Sequence, residues 1–183
     1  MEWIRQQMCP QLAQYAGTLD RDAILEQLMA QYGTSLWRMC TLQLRDAALA
    51  EDAVQETFLK AYRRLDSFRG TCSIQSWLMA IAINTCRDLR RTAWMRHTDR
   101  TVTPEQLPQG SAEDTLQDNT VLEAVTALPP REREAVLLRY YQGMSLREVA
   151  QALHISENAA KGRLHRANAH LRVRLKEWYD DEA

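Results

Sequence analysis

Residues 145–172, SLREVAQALHISENAAKGRLHRANAHLR, constrain the fold of this chain more than any other stretch. Ser145 and Glu148 have the spacing of a capping box, which starts a helix by satisfying its first amides reciprocally. Leu146, Val149, Ala150 and Leu153 repeat at helical spacing, His154-Ile155 turns the chain, and Ser156 is placed to cap a second helix. The core positions of that helix are Ala160, Leu164, Ala167, Leu171 and Leu175. A different face carries Glu157, Asn158, Lys161, Arg163, His165, Arg166 and His170. From Lys161 to Lys176 there are six Lys/Arg, two His and no acid. The whole chain has a formal charge of −1, so this positive charge is local rather than general. Two short helices around a tight turn, the second strongly basic, suggest an element that reads DNA.

In such an element the first half of the second helix enters the major groove. Lys161, Arg163 and Arg166 can reach phosphates or guanine acceptors, and Asn158 can read adenine or touch a phosphate. Arg172, Arg174 and Lys176 lie further along, suited to backbone or solvent. The amides beyond Ser156 can receive a phosphate. The same periodicity also describes a four-helix packing domain with a solvated basic face, since cations near a helix C-terminus are favourable without any DNA.

The other three quarters of the 183 residues also read as helical, with few glycines or prolines inside the periodic segments. Trp3, Ile4, Met8, Leu12 and Tyr15 can line a short helix that Pro10 interrupts or starts. Asp20 or Asp22 can cap the next one, which carries Ile24, Leu25, Leu28, Met29 and Tyr32. Beyond Gly33 the stripe continues through Leu36, Trp37, Met39, Cys40 and Leu44, as one helix or two. Asp46 suits the cap of a helix over 47–65, with Glu51, Asp52 and Glu56 early and Lys60, Arg63 and Arg64 late, as the helix dipole favours. Residues 66–75 are a loop, followed by a helix to about 94 with Trp77, Leu78, Ile81, Ala82, Thr85 and Leu89 inward and a basic exit.

Residues 98–118 carry two prolines, a glycine and many polar side chains, the composition of a linker. They divide the chain into a 1–24 extension, a 25–97 front domain and a 119–183 back domain. In the back domain Val121, Leu122, Val125 and Leu128 are expected on one face. Pro129-Pro130 opens a helix with Val136, Leu137, Tyr140 and Tyr141 inward, and Gly143 stops it. The expected fold is all-α: two small helical domains on a flexible linker, the C-terminal one a four-helix helix-turn-helix module.

Several function classes are excluded on composition. No apolar run reaches a membrane span and the N-terminus is no signal peptide, so a cytoplasmic protein without membrane insertion is expected. Cys9, Cys40, Cys72 and Cys86 are scattered without a C-x-x-C pair, so ordinary reduced thiols are expected, Cys40 and Cys86 buried, with no metal or other cofactor. Asp52, Gln55, Glu56 and Leu59 share one side of their helix by three-and-four spacing, with no His, Ser or Lys arranged as a catalytic partner. They suit a protein contact or a solvated face, and no enzyme activity is expected. Around the 66–75 loop, polar groups beside a basic helix end could hold an unstacked strand, though a plain loop fits the spacing equally.

Three stretches in order resemble the bacterial extracytoplasmic-function (ECF) sigma factors of the sigma-70 superfamily: AEDAVQETFLKAYRRLDSF at 50–68, SIQSWLMAIAINTCRDLRR at 73–91, and LPPREREAVLLRYYQGMSLREVAQALHISENAAKGRLHRANAHLR at 128–172. The resemblance implies a factor that docks on core RNA polymerase and directs promoter-specific initiation. It implies that Asp52, Gln55, Glu56 and Leu59 face the β′ clamp helices, with further contact to the β subunit. Phe68, Arg69, Thr71, Ser73 and Gln75 would line a pocket for a flipped base of the single-stranded −10 element. Asn84, Arg87, Asp88, Arg90 and Arg91 would lie along that strand. Ser156, Glu157, Asn158, Lys161, Arg163 and Arg166 would meet the duplex −35 element. An anti-sigma factor is a further partner the family often has. The chain departs from the family pattern at Ala159-Ala160, commonly Thr-Val, and at Gly162, commonly Ser, which leaves its −35 preference open. A stand-alone helix-turn-helix regulator of duplex DNA is the competing expectation, and it leaves the front helix unused.

Overall fold

The computed structural model describes residues 21–95 and 119–181. The expected N-terminal helix face at Trp3–Tyr15, Asp20 and the 98–118 linker lie outside the described residues. Seven α-helices make up the described part: α1 (Arg21–Leu44), α2 (Ala47–Arg64), α3 (Ile74–Met95), α4 (Asn119–Thr126), α5 (Pro130–Val136), α6 (Leu146–Leu153) and α7 (Glu157–Asp181). Among these residues there is no strand.

Helix α1 runs unbroken through Gly33, so the stripe read on both sides of that glycine belongs to one helix. It ends at Arg45, whose positive φ of 59° turns the chain. Asp46 then caps α2, its carboxylate accepting from the Leu49 amide at 3.0 Å. A 3₁₀ turn, Leu65–Ser67, closes α2. Helices α1, α2 and α3 pack on one another around Leu28, Leu36, Met39, Phe58, Leu78 and Ile81.

Helix α3 is buried more completely than an amphipathic stripe requires. Besides Leu78, Ile81, Ala82 and Thr85, it buries Met79, Ile83 and Cys86. The reason is that α6 of the back domain covers the side of α3 that α1 and α2 leave open. A helix apolar on most of its circumference needs neighbours on most of its circumference. The buried apolar residues of front and back helices accordingly form a single cluster.

In the back domain, two expectations are corrected. Tyr140 and Tyr141 are exposed, and Leu138 is fully buried in their place. Residues Leu137–Tyr141 form a π-helical turn directly after α5. Its wider winding inserts an extra residue, so positions beyond it rotate away from the face that 3.6-residue spacing projects. Val121, expected inward on α4, is exposed as well; Leu128 and the neighbouring Ala124 carry the burial there. The remaining punctuation is as read: Gly143 has φ +67°, Ser145 and Glu148 form the capping box, and His154 takes the left-handed conformation at the turn before α7.

Gly33 sits inside α1 with nothing within 4 Å of where a Cβ would stand. Gly33→Ala is expected to stabilise the protein by about 0.5–1 kcal/mol, from helix propensity alone. Leu78→Ala, at a fully buried site, is expected to cost about 2–5 kcal/mol. Urea unfolding of both variants checks the pair.

Candidate polymerase and nucleic-acid interfaces

The edge of α2 stands clear of the rest of the fold. Asp52, Gln55 and Leu59 are exposed, Leu59 at 49%, a large value for a leucine flanked by acids. Glu56 is half-buried and pairs with Lys60 at 3.7 Å, and Lys60 also donates to the Thr85 hydroxyl at 3.1 Å. Lys60 thus ties the inner side of this edge to α3, while the acidic and apolar side chains point outward.

The loop before α3 turns at Gly70, φ +68°. Arg69 and Thr71 are exposed. Phe68 is buried, its ring 5.1 Å from Trp77, so it supports the loop from beneath rather than presenting a stacking surface. Ser73 begins α3, its hydroxyl accepting from the Ser76 amide at 3.1 Å. Along α3, Asn84 Oδ1 accepts from Arg87 at 3.1 Å, and Asp88 pairs with Arg91 at 3.4 Å on the surface. Arg90 is half-buried and Arg91 exposed.

The helix-turn-helix pairs α6 and α7. Ser156 caps α7 by accepting from the Ala159 amide at 3.2 Å. Glu157, Asn158, Lys161, His165 and Arg166 project from its exposed side, and Ala160, Leu164 and Ala167 face the core. Arg163 does not join the outward set. It folds inward, 3.9 Å from Glu134, and burial lowers its pKa below the ordinary arginine value, partly offset by that carboxylate. Beneath the helix, Glu132 forms ion pairs with Arg166 at 3.4 Å and His170 at 2.8 Å. Arg133 is buried, its pKa lowered to about 10 by burial and the neighbouring arginines, and it is still charged at neutral pH. A cavity of about 660 Å³ opens against α7, with Arg90, Arg131, Arg163 and Arg166 on its wall beside Asn158 and Gly162. Four guanidiniums against the one carboxylate of Glu132 on the same wall leave the opening net positive, which attracts phosphate.

Glu134 was invisible in the sequence as a functional residue. It is fully buried where the two domains meet. Arg87 of α3 grips it with two bonds, Nε to Oε1 at 3.0 Å and Nη2 to Oε2 at 2.7 Å, and Gln43 of α1 donates at 3.3 Å. That contact raises the pKa of Arg87 further above its ordinary value. Nearby, Gln142 Oε1 accepts from Ser35 at 3.0 Å and from Gln75 at 3.3 Å, and its carbonyl accepts from Gln75 at 3.1 Å. Glu148 takes the Ser145 amide and hydroxyl on one oxygen and the Ser73 and Ser76 hydroxyls on the other. The one available signal for Glu134 was its place four residues before Leu138, on a helix face that turns inward.

Among the described residues no group of His, Cys, Asp and Glu could hold a metal ion, and no helix is long and apolar enough to cross a membrane. Cys40 and Cys86 are buried free thiols, and their mutual hydrogen bond together with burial pushes the Cys86 thiol up, away from thiolate chemistry.

A three-helix body with an acidic–apolar edge and a helix-turn-helix body with a basic face define a class, the transcription factors that join a protein-docking element to a DNA reader. Family models sharpen the class: residues 28–96 match Sigma-70 region 2 and residues 118–171 match Sigma-70, region 4. The ECF RNA polymerase sigma factor SigL of Mycobacterium tuberculosis is 34% identical over 160 residues, covering 85% of this chain and 90% of the relative. The RNA polymerase sigma factor CarQ of Myxococcus xanthus is 34% identical over 158 residues, covering 83% and 89%. Among solved structures, CnrH in complex with the cytosolic domain of CnrY has a TM-score of 0.65 at 28% identity, covering 91% of this chain and 96% of that one. The sigma factor RpoE bound to the anti-sigma factor NepR, from Bartonella quintana, shares the fold, with a TM-score of 0.72 at 23% identity over 82% and 96%. The chain belongs to the ECF RNA polymerase sigma factors. It is an alternative sigma factor that serves promoter-specific transcription initiation.

The bonds from Ser145 hold the Glu148 carboxyl below the ordinary glutamate value, with smaller contributions from Ser76 and Ser73. A depressed folded-state pKa gives stability that is full above the unfolded value, about 4.3, and is lost as pH falls through the lower folded value. The melting temperature of the wild type should therefore exceed that of Glu148→Gln at pH 7, with the gap shrinking steadily below pH 4. Thermal melts across that range check it, and a gap independent of pH contradicts it.

Proposed function

We propose that the division of labour in this sigma factor follows its two exposed surfaces. The observation that carries the proposal is their simultaneous presence: Asp52, Gln55 and Leu59 outward on α2, and Asn158, Lys161 and Arg166 outward on α7. The α2 edge, completed by Glu56, docks on the β′ clamp helices of core RNA polymerase, an acidic rim around one apolar anchor. The β subunit is a further contact. The loop with Arg69, Thr71, Ser73 and Gln75 receives a flipped base of the single-stranded −10 element, with Phe68 bracing it from below. Asn84, Arg87, Asp88, Arg90 and Arg91 follow that strand. Ser156, Glu157, Asn158, Lys161 and Arg166 read the duplex −35 element, and Arg163 contributes charge from behind them. Each contact is weak alone, and joining two readers through one polymerase supplies the specificity. The protein performs no chemistry of its own, works in the cytoplasm beside the polymerase, and offers its domains to an anti-sigma factor. A stand-alone duplex regulator would leave the α2 edge without a use.

The test is reconstitution with core polymerase and mapping of initiation sites. Charge reversal at Asp52 and Glu56 is expected to weaken core binding at least about tenfold while leaving duplex binding alone. Lys161→Ala or Arg166→Ala is expected to weaken promoter recognition by about 1–3 kcal/mol for a base contact and to spare core binding. Loss of both functions together in folded variants contradicts the division.

A further inference from the structure

The cavity against α7 gathers its arginines from three helices: Arg90 from α3, Arg131 from α5, and Arg163 and Arg166 from α7. The acids beside it are already engaged. Glu132 pairs with Arg166 and His170, and Glu134 with Arg87 and Arg163. Arg90 and Arg131 form no ion pair with an acid among the described residues. Arg163 Nη1 is shut off from solvent, 3.9 Å from Glu134 and without a hydrogen-bond partner. Burial first, and then the like charges of Arg87, Arg131 and Arg166, lower the Arg163 pKa, with Glu134 opposing them. Like charges so placed are relieved by an anion with several acceptor oxygens, and a guanidinium fork matches phosphate best. The space itself is kept open by small residues. Ala159 and Gly162 line it, and a Cβ at Gly162 would stand 3.6 Å from Arg166 Nη1. Pro129 and Pro130 form an apolar stretch of the same wall, and Asn158 adds an amide.

We propose that this cavity is a binding site for a small polyphosphate anion, a free nucleotide or an inorganic chain carrying two or more phosphates. Arg90, Arg131 and Arg166 take the phosphate oxygens, and Arg163 adds positive charge from the cavity wall. A volume of about 660 Å³ is that of a small-molecule site. A mixed wall of a few aimed polar groups beside apolar surface is also the usual make-up of such a site. A nucleotide would lay its base and ribose on Pro129 and Pro130 and offer a base edge to Asn158. An inorganic polyphosphate would use the guanidiniums alone. A duplex meets α7 through its exposed side chains, whereas Arg163 lies behind that surface, with its side chain 16% exposed. A ligand that enters the cavity is therefore small and free.

Isothermal titration calorimetry of the full chain tests the site with two probes, sodium triphosphate and ATP, at about 0.15 M salt, where loose attraction to exposed charges is largely screened. One-to-one binding of triphosphate is expected. Tighter binding of ATP marks a nucleotide as the occupant, and tighter binding of triphosphate an inorganic polyphosphate; both support the site. Arg131 is exposed and outside both DNA-reading sets. Arg131→Ala should weaken triphosphate binding at least about tenfold, the loss of one charge-assisted contact. Gly162→Leu keeps every charge, fills the cavity and should weaken binding as much. Arg147→Ala removes the same charge from an exposed position on α6 that does not line the cavity, and should leave binding unchanged. Thermal melts give a second readout and show that each variant folds. Triphosphate should raise the melting temperature of the wild type and of Arg147→Ala, and leave that of Gly162→Leu where it was. Absence of one-to-one binding by the wild type overturns the site. Equal losses in Arg131→Ala and Arg147→Ala, or wild-type binding by Gly162→Leu, overturn it too. Fluorescence anisotropy with a labelled duplex of mixed sequence covers the remaining rival. If Arg131→Ala weakens duplex binding and leaves triphosphate binding intact, the arginines serve the DNA backbone and the proposal falls.

Discussion

The buried carboxylate of Glu134 is the interaction on which the described arrangement turns. A carboxylate with no access to water is costly unless its charge and its lone pairs are both met. Here Arg87 supplies charge and two bonds, Gln43 a third bond, and Arg163 a second positive charge slightly further off. The partners come from α1, α3 and α7, so one side chain ties both domains together. Removing one partner of a fully buried ion pair costs roughly 3–5 kcal/mol. The cost is smaller here because the Arg87 side chain keeps 30% of its surface exposed.

The apolar surface around that pair sets how the helices divide their work. Helix α3 serves as an inner wall for both domains, facing α1 and α2 on one side and α6 on the other. Among the described residues, the outer edge of α2 and the outer face of α7 are left exposed. Leu59 and the acids beside it belong to the first, Lys161 and Arg166 to the second.

Much of this was legible in the residues because it is local. Asp46, the Ser145–Glu148 box, Gly143 and Ser156 stop and start helices through bonds within three or four positions, and each does so in the structure. The outward placement of Asp52, Gln55 and Leu59 follows equally from one helical period. The π turn at Leu137–Tyr141 escaped because a single inserted residue breaks the period without any marker residue, turning Tyr140 and Tyr141 outward and Leu138 inward. The contacts of Arg87, Gln75 and Ser73 escaped for a different reason. They are met by Glu134, Gln142 and Glu148, which lie 47, 67 and 75 residues away along the chain. No spacing rule reaches that far, and a cation partnered by a distant acid reads in sequence like a cation at the surface.

The central claim is that the helices of residues 21–95 and of residues 119–181 pack on one another in the free chain while the outer edge of α2 and the outer face of α7 stay exposed. Pulsed electron-spin resonance measures it most directly, with spin labels at Arg64→Cys and Ala169→Cys, two exposed positions in the front and back domains, in a background where Cys9 and Cys72 are replaced by serine. The expected result is one narrow distance for the free chain. A broad distribution contradicts the claim.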